Sequence, residues 1–355
     1  MLYSVQVLRA LAAVLVVVCH AIHKQGQISG TGATWEFGGS GVDLFFIISG
    51  FIMCYVTMNR QVTARDFLKA RVLRIVPLYW TLSLVALAVY LANPAVVNSS
   101  GGTTTIVNSF TLIPTGDKFL IQTGWTLSYE FLFYLVFAAS LSFAMGRRLA
   151  FTCGALLVLV AGGVLLSPSN PTLKFVTSPL LLEFVMGIAA YLYVREESRP
   201  LPLSVALVAG GILALCVMPP AITADTRVIS YGLPFMMIFA GLVKMELLVR
   251  QACETIPGRL ATAIGAASYS LYLAHPFALA AAAMIVKRSG MQHYPVLSVA
   301  ILVASALVAG YACFSLIEVN LNRWIKSASR KRAARLSKTV HEAVEQPKTT
   351  RTWPQ

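Results

Sequence analysis

The sequence VQVLRALAAVLVVVCHAI, from Val5 to Ile22, is an apolar stretch long enough to cross a lipid bilayer as a helix. It contains one cation, Arg9, and one imidazole, His20, eleven residues further along the chain. In a helix this spacing corresponds to three turns plus ~20° and to ~16 Å along the axis. Both side chains are therefore predicted to point in the same direction.

Ionisable side chains in membrane helices usually face the protein interior or a water-filled cavity. One interpretation of Arg9 and His20 is therefore a pathway, with a phosphate-binding cation at one end and a proton-transfer group deeper inside. The alternative is structural: Arg9 reaches the lipid surface along its aliphatic stem, and His20 is a hydrogen-bonded core residue. The motifs that follow along the chain favour the pathway.

The composition predicts an all-α, polytopic membrane protein. Of the 355 residues, 57% are hydrophobic and only 12% are charged, which is more apolar surface than a soluble domain can bury. The net charge of +14 lies in short loops and a tail beside apolar spans, which indicates membrane topology rather than nucleic-acid binding. The six cysteines form no CxxC pair, so neither a disulfide framework nor a metal site is predicted.

Ten apolar segments have about the length that a bilayer core requires. They are residues 5–22, 39–58, 75–92, 125–145, 149–167, 174–194, 201–218, 228–249, 266–286 and 295–317. Lys and Arg concentrate in alternate loops and in the tail, so the positive-inside rule places both termini in the cytoplasm. Residues 1–324 are predicted to form the transmembrane domain, and residues 325–355 a basic cytoplasmic tail that is partly disordered.

Two carboxylates are predicted at membrane depth, Asp43 in the second span and Glu130 in the fourth. His20 ends the first span on the same side as Asp43, and a short loop joins the two spans, so a contact between them is geometrically easy. The alternative for Asp43 is a cap at the start of its helix. Glu130 is the second candidate to orient the imidazole.

Arg71 and Arg74 precede the third span at positions i and i+3, so they share one helix face. Guanidinium groups bind phosphate through paired hydrogen bonds, although the positive-inside rule alone also explains basic residues in this loop. In the ninth span, Pro276 frees the carbonyl of Tyr272 and predicts a kink there. His275, beside that kink, is either a ligand contact or a buried hydrogen-bonding residue.

Together these stretches resemble the integral-membrane acyltransferase-3 family and, within it, the exopolysaccharide-production (ExoZ-like) acetyltransferases. The spacing of Arg9 and His20 is similar to the arginine-ten-residues-histidine signature of that family's first helix. The other motifs that resemble the family lie at residues 43–51, 71–80, 125–130 and 268–276. One departure is that Glu318 is followed by Val319 and Asn320 rather than by a basic residue and proline, so no role is assigned to Glu318.

The resemblance implies transfer of an acyl group, usually acetyl from acetyl-CoA, to a hydroxyl of a cell-surface glycan or its lipid-linked precursor. It implies a multi-pass protein of the bacterial inner membrane whose partners are acyl-CoA, the glycan and the bilayer, with no metal. The predicted site consists of Arg9, Arg71 and Arg74 for the CoA phosphates, His20 as general base, Asp43 or Glu130 to orient it, and Trp125, Tyr272 and His275 for the substrate.

Two other classes of protein fit parts of the pattern. A transporter or flippase would move glycans or acyl groups without forming a bond, and buried charges mark transport pathways too. The arginine cluster favours the enzyme, because a carrier of neutral sugars has little use for it. A membrane scaffold for polysaccharide assembly predicts that Arg9, His20 and Arg71 are freely replaceable. Within the enzyme, direct transfer and a transient acyl-His20 are both open.

Overall fold

A computed structural model describes residues 2–58, 60–97, 102–197, 200–220 and 223–328 of the chain. These residues are helical apart from loops and one isolated backbone pairing between Thr104 and Lys118, which confirms the all-α prediction. The tail from residue 329 lies outside the described residues, so the predicted boundary at residue 325 stays a prediction.

Ten helices of twelve or more residues occur in the described part of the chain. They are α1 (Tyr3–Ser29), α2 (Gly41–Thr57), α3 (Ala64–Ala92), α4 (Gly124–Ser140), α5 (Met145–Leu166), α6 (Leu181–Arg195), α7 (Leu201–Val217), α8 (Leu233–Lys244), α9 (Ile256–Arg288) and α10 (Pro295–Cys313). A 3-10 turn, Glu36–Ser40, leads into α2, while π-helical turns, Val228–Gly232 and Phe314–Glu318, precede α8 and follow α10.

Each of the ten predicted spans overlaps one of these helices. Among the described residues, eight helical segments are long and apolar enough to cross a membrane. Helices α4 and α7 have 17 residues each, which is at the lower limit of a membrane span. A multi-pass membrane protein is therefore confirmed, whereas the exact count of ten and the cytoplasmic position of both termini stay predictions.

Close helix crossings are possible because glycines stand at the contact points. Helix α1 packs along α9, and α2 packs against α1 and α6. A Cβ at Gly265 would collide with the carbonyl oxygen of Gln6 on α1, and a Cβ at Gly187 would collide with the carbonyl oxygen of Ile47 on α2. Small residues let membrane helices approach closely, so these crossings bring side chains of distant spans together.

The core beside α2 is aromatic. The ring of Phe184 stacks on the rings of Phe46 and Phe133, with centres 4.8 Å and 4.5 Å away, and all three side chains are buried. Offset stacking of this kind adds to the stabilisation from burial. Helices α2, α4 and α6 are thereby held together, and the polar side chains that they carry have defined positions.

Candidate active site

A first cavity of about 420 Å³ collects the arginines that the sequence singled out, and we call it the arginine cavity. Its polar lining includes Arg9, Arg71, Arg74, Glu130, Tyr134 and Ser268. The helices α1, α3, α4 and α9 contribute these side chains, which are far apart in the sequence. The structure therefore brings the three predicted phosphate-binding residues to one site.

Local contacts position two of the three guanidinium groups. Nε of Arg9 donates a hydrogen bond to Oγ of Ser268, at 3.1 Å. The guanidinium of Arg71 lies 5.8 Å from the centre of the Phe67 ring, and its buried Nε has no hydrogen-bond partner among the described residues. Helix α3 begins at a defined point, because Oγ1 of Thr63 accepts a hydrogen bond from the backbone N–H of Asp66, at 3.1 Å.

Glu130 lies among the arginines and does not line the cavity that contains His20. The hydroxyl of Tyr134 donates to Oε2 of Glu130 at 2.7 Å, and the charges of Arg74, Arg71 and Arg9 all act on this carboxylate. The predicted contact between Glu130 and His20 is therefore not observed. With three guanidinium groups and one carboxylate, the arginine cavity carries an excess of positive charge.

A second cavity, of about 350 Å³, contains His20, and we call it the histidine cavity. Its lining includes His20, His23, Trp35, Glu36, Trp125 and Arg227. Nδ1 of His20 lies 2.8 Å from the backbone oxygen of Val16. A carbonyl oxygen only accepts hydrogen bonds, so this contact assigns a proton to Nδ1, and in the neutral imidazole Nε2 then keeps its lone pair. Neutral His20 in this position can act as a base through Nε2.

A second imidazole, that of His275, lies beside His20. The two ring centres are 5.0 Å apart. His275 is fully buried, its Nδ1 lies 3.2 Å from the backbone oxygen of Leu271, and its Nε2 has no hydrogen-bond partner among the described residues. The contact depends on the packing of α1 against α9, so the spacing of residues along either helix could not reveal it.

Asp43 is paired with Arg227 rather than with His20. Nε of Arg227 donates to Oδ1 of Asp43 at 3.2 Å, and Nη2 donates to Oδ2 and to the backbone oxygen of Gly39, the latter at 3.0 Å. Asp43 is fully buried, whereas the Arg227 side chain is 25% exposed and lines the histidine cavity. Ser40 occupies the N-cap position of α2, and Asp43 lies in the first turn of that helix.

Sequence reasoning missed Arg227, because no local motif distinguishes it from the other basic residues between the spans. The fully buried carboxyl group of Glu183 lies within electrostatic reach of both Arg227 and Asp43. A buried carboxylate needs a partner, and that requirement was the signal available in the sequence. This requirement indicated that a cation had to lie near Asp43, but it did not indicate which Lys or Arg of the chain that cation was.

The two cavities lie next to each other. Val42 and Tyr272 line both of them, and the hydroxyl of Tyr272 lies 3.0 Å from Oγ1 of Thr126. Arg9 lines one cavity and His20 the other, so α1 runs past both. Trp125 lines the histidine cavity, and Tyr272 stands where the cavities meet. No group of three or more His, Cys, Asp or Glu that could hold a metal ion occurs among the described residues.

Comparison with known proteins identifies the class of protein. Residues 2–315 match the sequence profile of the acyltransferase-3 family, which is described as an acyltransferase domain. The chain therefore belongs to this family and is an acyltransferase of the membrane, so the transporter and scaffold alternatives are set aside.

A relative within the family gives a more specific comparison. The chain is 32% identical over 315 residues to the exopolysaccharide production protein ExoZ of Rhizobium meliloti (strain 1021), an alignment that covers 82% of this chain and 92% of the relative. No solved structure matches the chain significantly. The chain is thus an ExoZ-like membrane acyltransferase.

Proposed function

We propose that this protein is an O-acyltransferase of the bacterial inner membrane. It transfers an acyl group, acetyl in the simplest case, from cytoplasmic acyl-CoA to a hydroxyl of a cell-surface glycan or its lipid-linked precursor. The observation that carries the proposal is the pair of adjoining cavities, one cationic and one containing a histidine base. The name of the relative, an exopolysaccharide production protein, supports a glycan as acceptor.

The arginine cavity is suited to the donor. Coenzyme A carries several phosphate charges, and guanidinium groups bind phosphate through charge-assisted, paired hydrogen bonds. Arg9, Arg71 and Arg74 outnumber the one carboxylate, Glu130, at this site. The pantetheine arm of a donor held here extends past Tyr272 and brings its thioester to the edge of the histidine cavity.

The histidine cavity is suited to the chemical step. Nε2 of His20 removes the proton from the sugar hydroxyl as the oxygen attacks the thioester carbonyl, and a new C–O ester bond forms. The C–S bond then breaks, and the thiolate of CoA receives the proton from His20. Positioned base catalysis of this kind accelerates a reaction about a hundred- to ten-thousand-fold. A transient acyl-His20 is the second route that this geometry permits.

Paired substitutions in the purified full-length protein test the two roles separately. For His20→Gln, we expect glycan acylation to fall about a hundred-fold or more while binding of radiolabelled acetyl-CoA is retained, because only the base is lost. For Arg74→Gln, we expect acetyl-CoA binding itself to weaken. The matched control is Arg65→Gln. Arg65 is exposed, lies near the start of the same helix and does not line the arginine cavity.

The outcomes separate the possible functions. Near-normal acylation by the His20→Gln variant would contradict the proposed base. Absence of acetyl-CoA binding in the unaltered protein would contradict the proposed donor. Radiolabel that becomes attached to the protein when acetyl-CoA is supplied without acceptor would indicate the acyl-His20 route instead of direct transfer.

A further inference from the structure

The two cavities differ in charge. The described lining of the arginine cavity contains Arg9, Arg71 and Arg74 but one carboxylate, Glu130. Glu318, which does not line the cavity, also acts on the charge of Arg9, so cations remain in excess. In the histidine cavity the one guanidinium, Arg227, forms a two-point ion pair with Asp43, and Glu36 contributes a further carboxylate. The other titratable side chains in its lining are His20, His23, Cys19 and Tyr272. Among the described residues that line the histidine cavity, no Lys or Arg is therefore left uncompensated.

This difference matters for what each cavity accepts. A buried or partly buried anion requires a cation to compensate the loss of its hydration. An acidic sugar placed in the histidine cavity would approach Glu36 and find the charge of Arg227 already matched by Asp43. Binding sites gain specificity from unfavourable charge as well as from favourable contacts. The charges around this cavity therefore disfavour an anionic sugar.

The remaining walls of the histidine cavity suit an uncharged ring that carries hydroxyl groups. Two indole side chains, Trp35 and Trp125, line it and are each partly buried. Indole rings provide large, rigid apolar faces together with one N–H donor. Nη1 of Arg227, which makes none of the three hydrogen bonds that fix this guanidinium, and the exposed amide of Gln122 supply polar contacts.

We propose that the histidine cavity is a binding site for an uncharged sugar residue, whose ring packs against Trp35 or Trp125 and presents a hydroxyl to Nε2 of His20. Sugars that carry a carboxylate, sulfate or phosphate are excluded from it. This inference rests on the proposed function, because it assumes that the acceptor occupies the cavity of His20. It names the acceptor's chemical class, which the acyltransferase activity alone does not.

The test compares surface polysaccharide from cells with and without the gene, in a producing strain whose polymer contains both uncharged and acidic sugars. NMR spectroscopy of the purified polymer identifies the sugar residue that loses its acyl group when the gene is deleted. We expect an uncharged residue. An acyl group on an acidic sugar would overturn the inference but leave the acyltransferase intact, whereas no gene-dependent acyl group at all would overturn both.

Substitutions of the two tryptophans that line the histidine cavity test whether a sugar ring packs against them. In the deletion strain complemented with Trp125→Ala or Trp35→Ala, we expect acylation of the polymer to fall about tenfold for at least one of them, as for other tryptophan anchors. The corresponding Phe variant should retain most of the acylation of the polymer. Acetyl-CoA binding by the purified variants should be unchanged. The control is Trp324→Ala, because Trp324 is exposed and does not line the histidine cavity. Full acylation by both Ala variants would overturn the packing of a sugar ring against these walls.

Discussion

Asp43 shows how a single residue constrains its surroundings. A fully buried carboxylate in a membrane helix is costly unless a cation and hydrogen bonds compensate it. Arg227 supplies both, from a position 184 residues away in the sequence. The ion pair joins the start of α2 to the residue just before the π-helical turn that precedes α8, and it fixes one wall of the histidine cavity. Asp43 therefore acts on the candidate site through Arg227 and not by orienting His20 directly.

Removing one partner of this pair should destabilise the protein strongly. For Arg227→Ala, we expect a loss of about 3–5 kcal/mol in the free energy of unfolding, because the carboxylate of Asp43 is left buried without a cation. The double variant Asp43→Asn with Arg227→Gln should be more stable than Arg227→Ala, since residue 43 then carries no buried charge that has lost its cation. Thermal unfolding of the three proteins in detergent measures this. Equal Tm values for Arg227→Ala and the unaltered protein would contradict the account.

At the scale of elements, α1 is the helix that connects the two halves of the site. Its start is held by Glu246, whose carboxylate accepts from the backbone N–H groups of Tyr3 and Ser4, at 2.6 Å and 2.9 Å. Further along, Gly265 lets α9 approach α1 closely. As one continuous helix, α1 presents Arg9 to the arginine cavity and His20 to the histidine cavity.

The loop between α3 and α4 is a second element with a defined anchor, Asp117. Its carboxylate accepts hydrogen bonds from Thr105 at 2.6 Å and from Thr103 at 2.8 Å, and these bonds lower the pKa of Asp117. The loop is joined to α3, because the hydroxyl of Tyr79 donates to the backbone oxygen of Ser109 at 2.7 Å. The charged form of Asp117 is therefore the form that holds this loop.

Loop order should depend on pH with a predictable sign. A lowered pKa in the folded state stabilises the loop at pH values above the ordinary Asp pKa of about 4, and this contribution is lost as the pH falls through the lowered value. We expect hydrogen exchange in residues 103–118, corrected for intrinsic rates, to be slow at pH 7 and to become faster as the pH falls through the lowered pKa of Asp117. Asp117→Ala should show the faster exchange already at pH 7. Slow exchange in that variant would exclude the anchoring role.

At the scale of the whole molecule, the distribution of basic residues predicts orientation. Loops rich in Lys and Arg stay in the cytoplasm, which places the loop after α2 inside and the loop after α1 outside. In a variant without its six cysteines, a single cysteine at exposed Thr31 should react with a membrane-impermeant maleimide on intact cells. A single cysteine at exposed Arg60 should react only after lysis. The reverse pattern would invert the predicted topology.

Much of the site was predictable, because its motifs lie within single helices. The spacing of Arg9 and His20, and the pair Arg71 and Arg74, are local patterns whose geometry follows from helical periodicity. The carboxylates were less predictable. Glu130 was expected near His20 and lies with the arginines, since the depth of a residue along its span does not tell which neighbouring helix it faces.

By itself, the sequence determined the class of fold, the approximate spans and the residue types able to bind phosphate and move a proton. It did so because apolar length and helical periodicity are properties of one segment at a time. Only the tertiary structure decided that Asp43 pairs with Arg227, that His275 lies beside His20, and that the arginines and the base occupy two adjoining cavities. These are contacts between helices far apart in the chain, and they depend on where small residues let those helices approach.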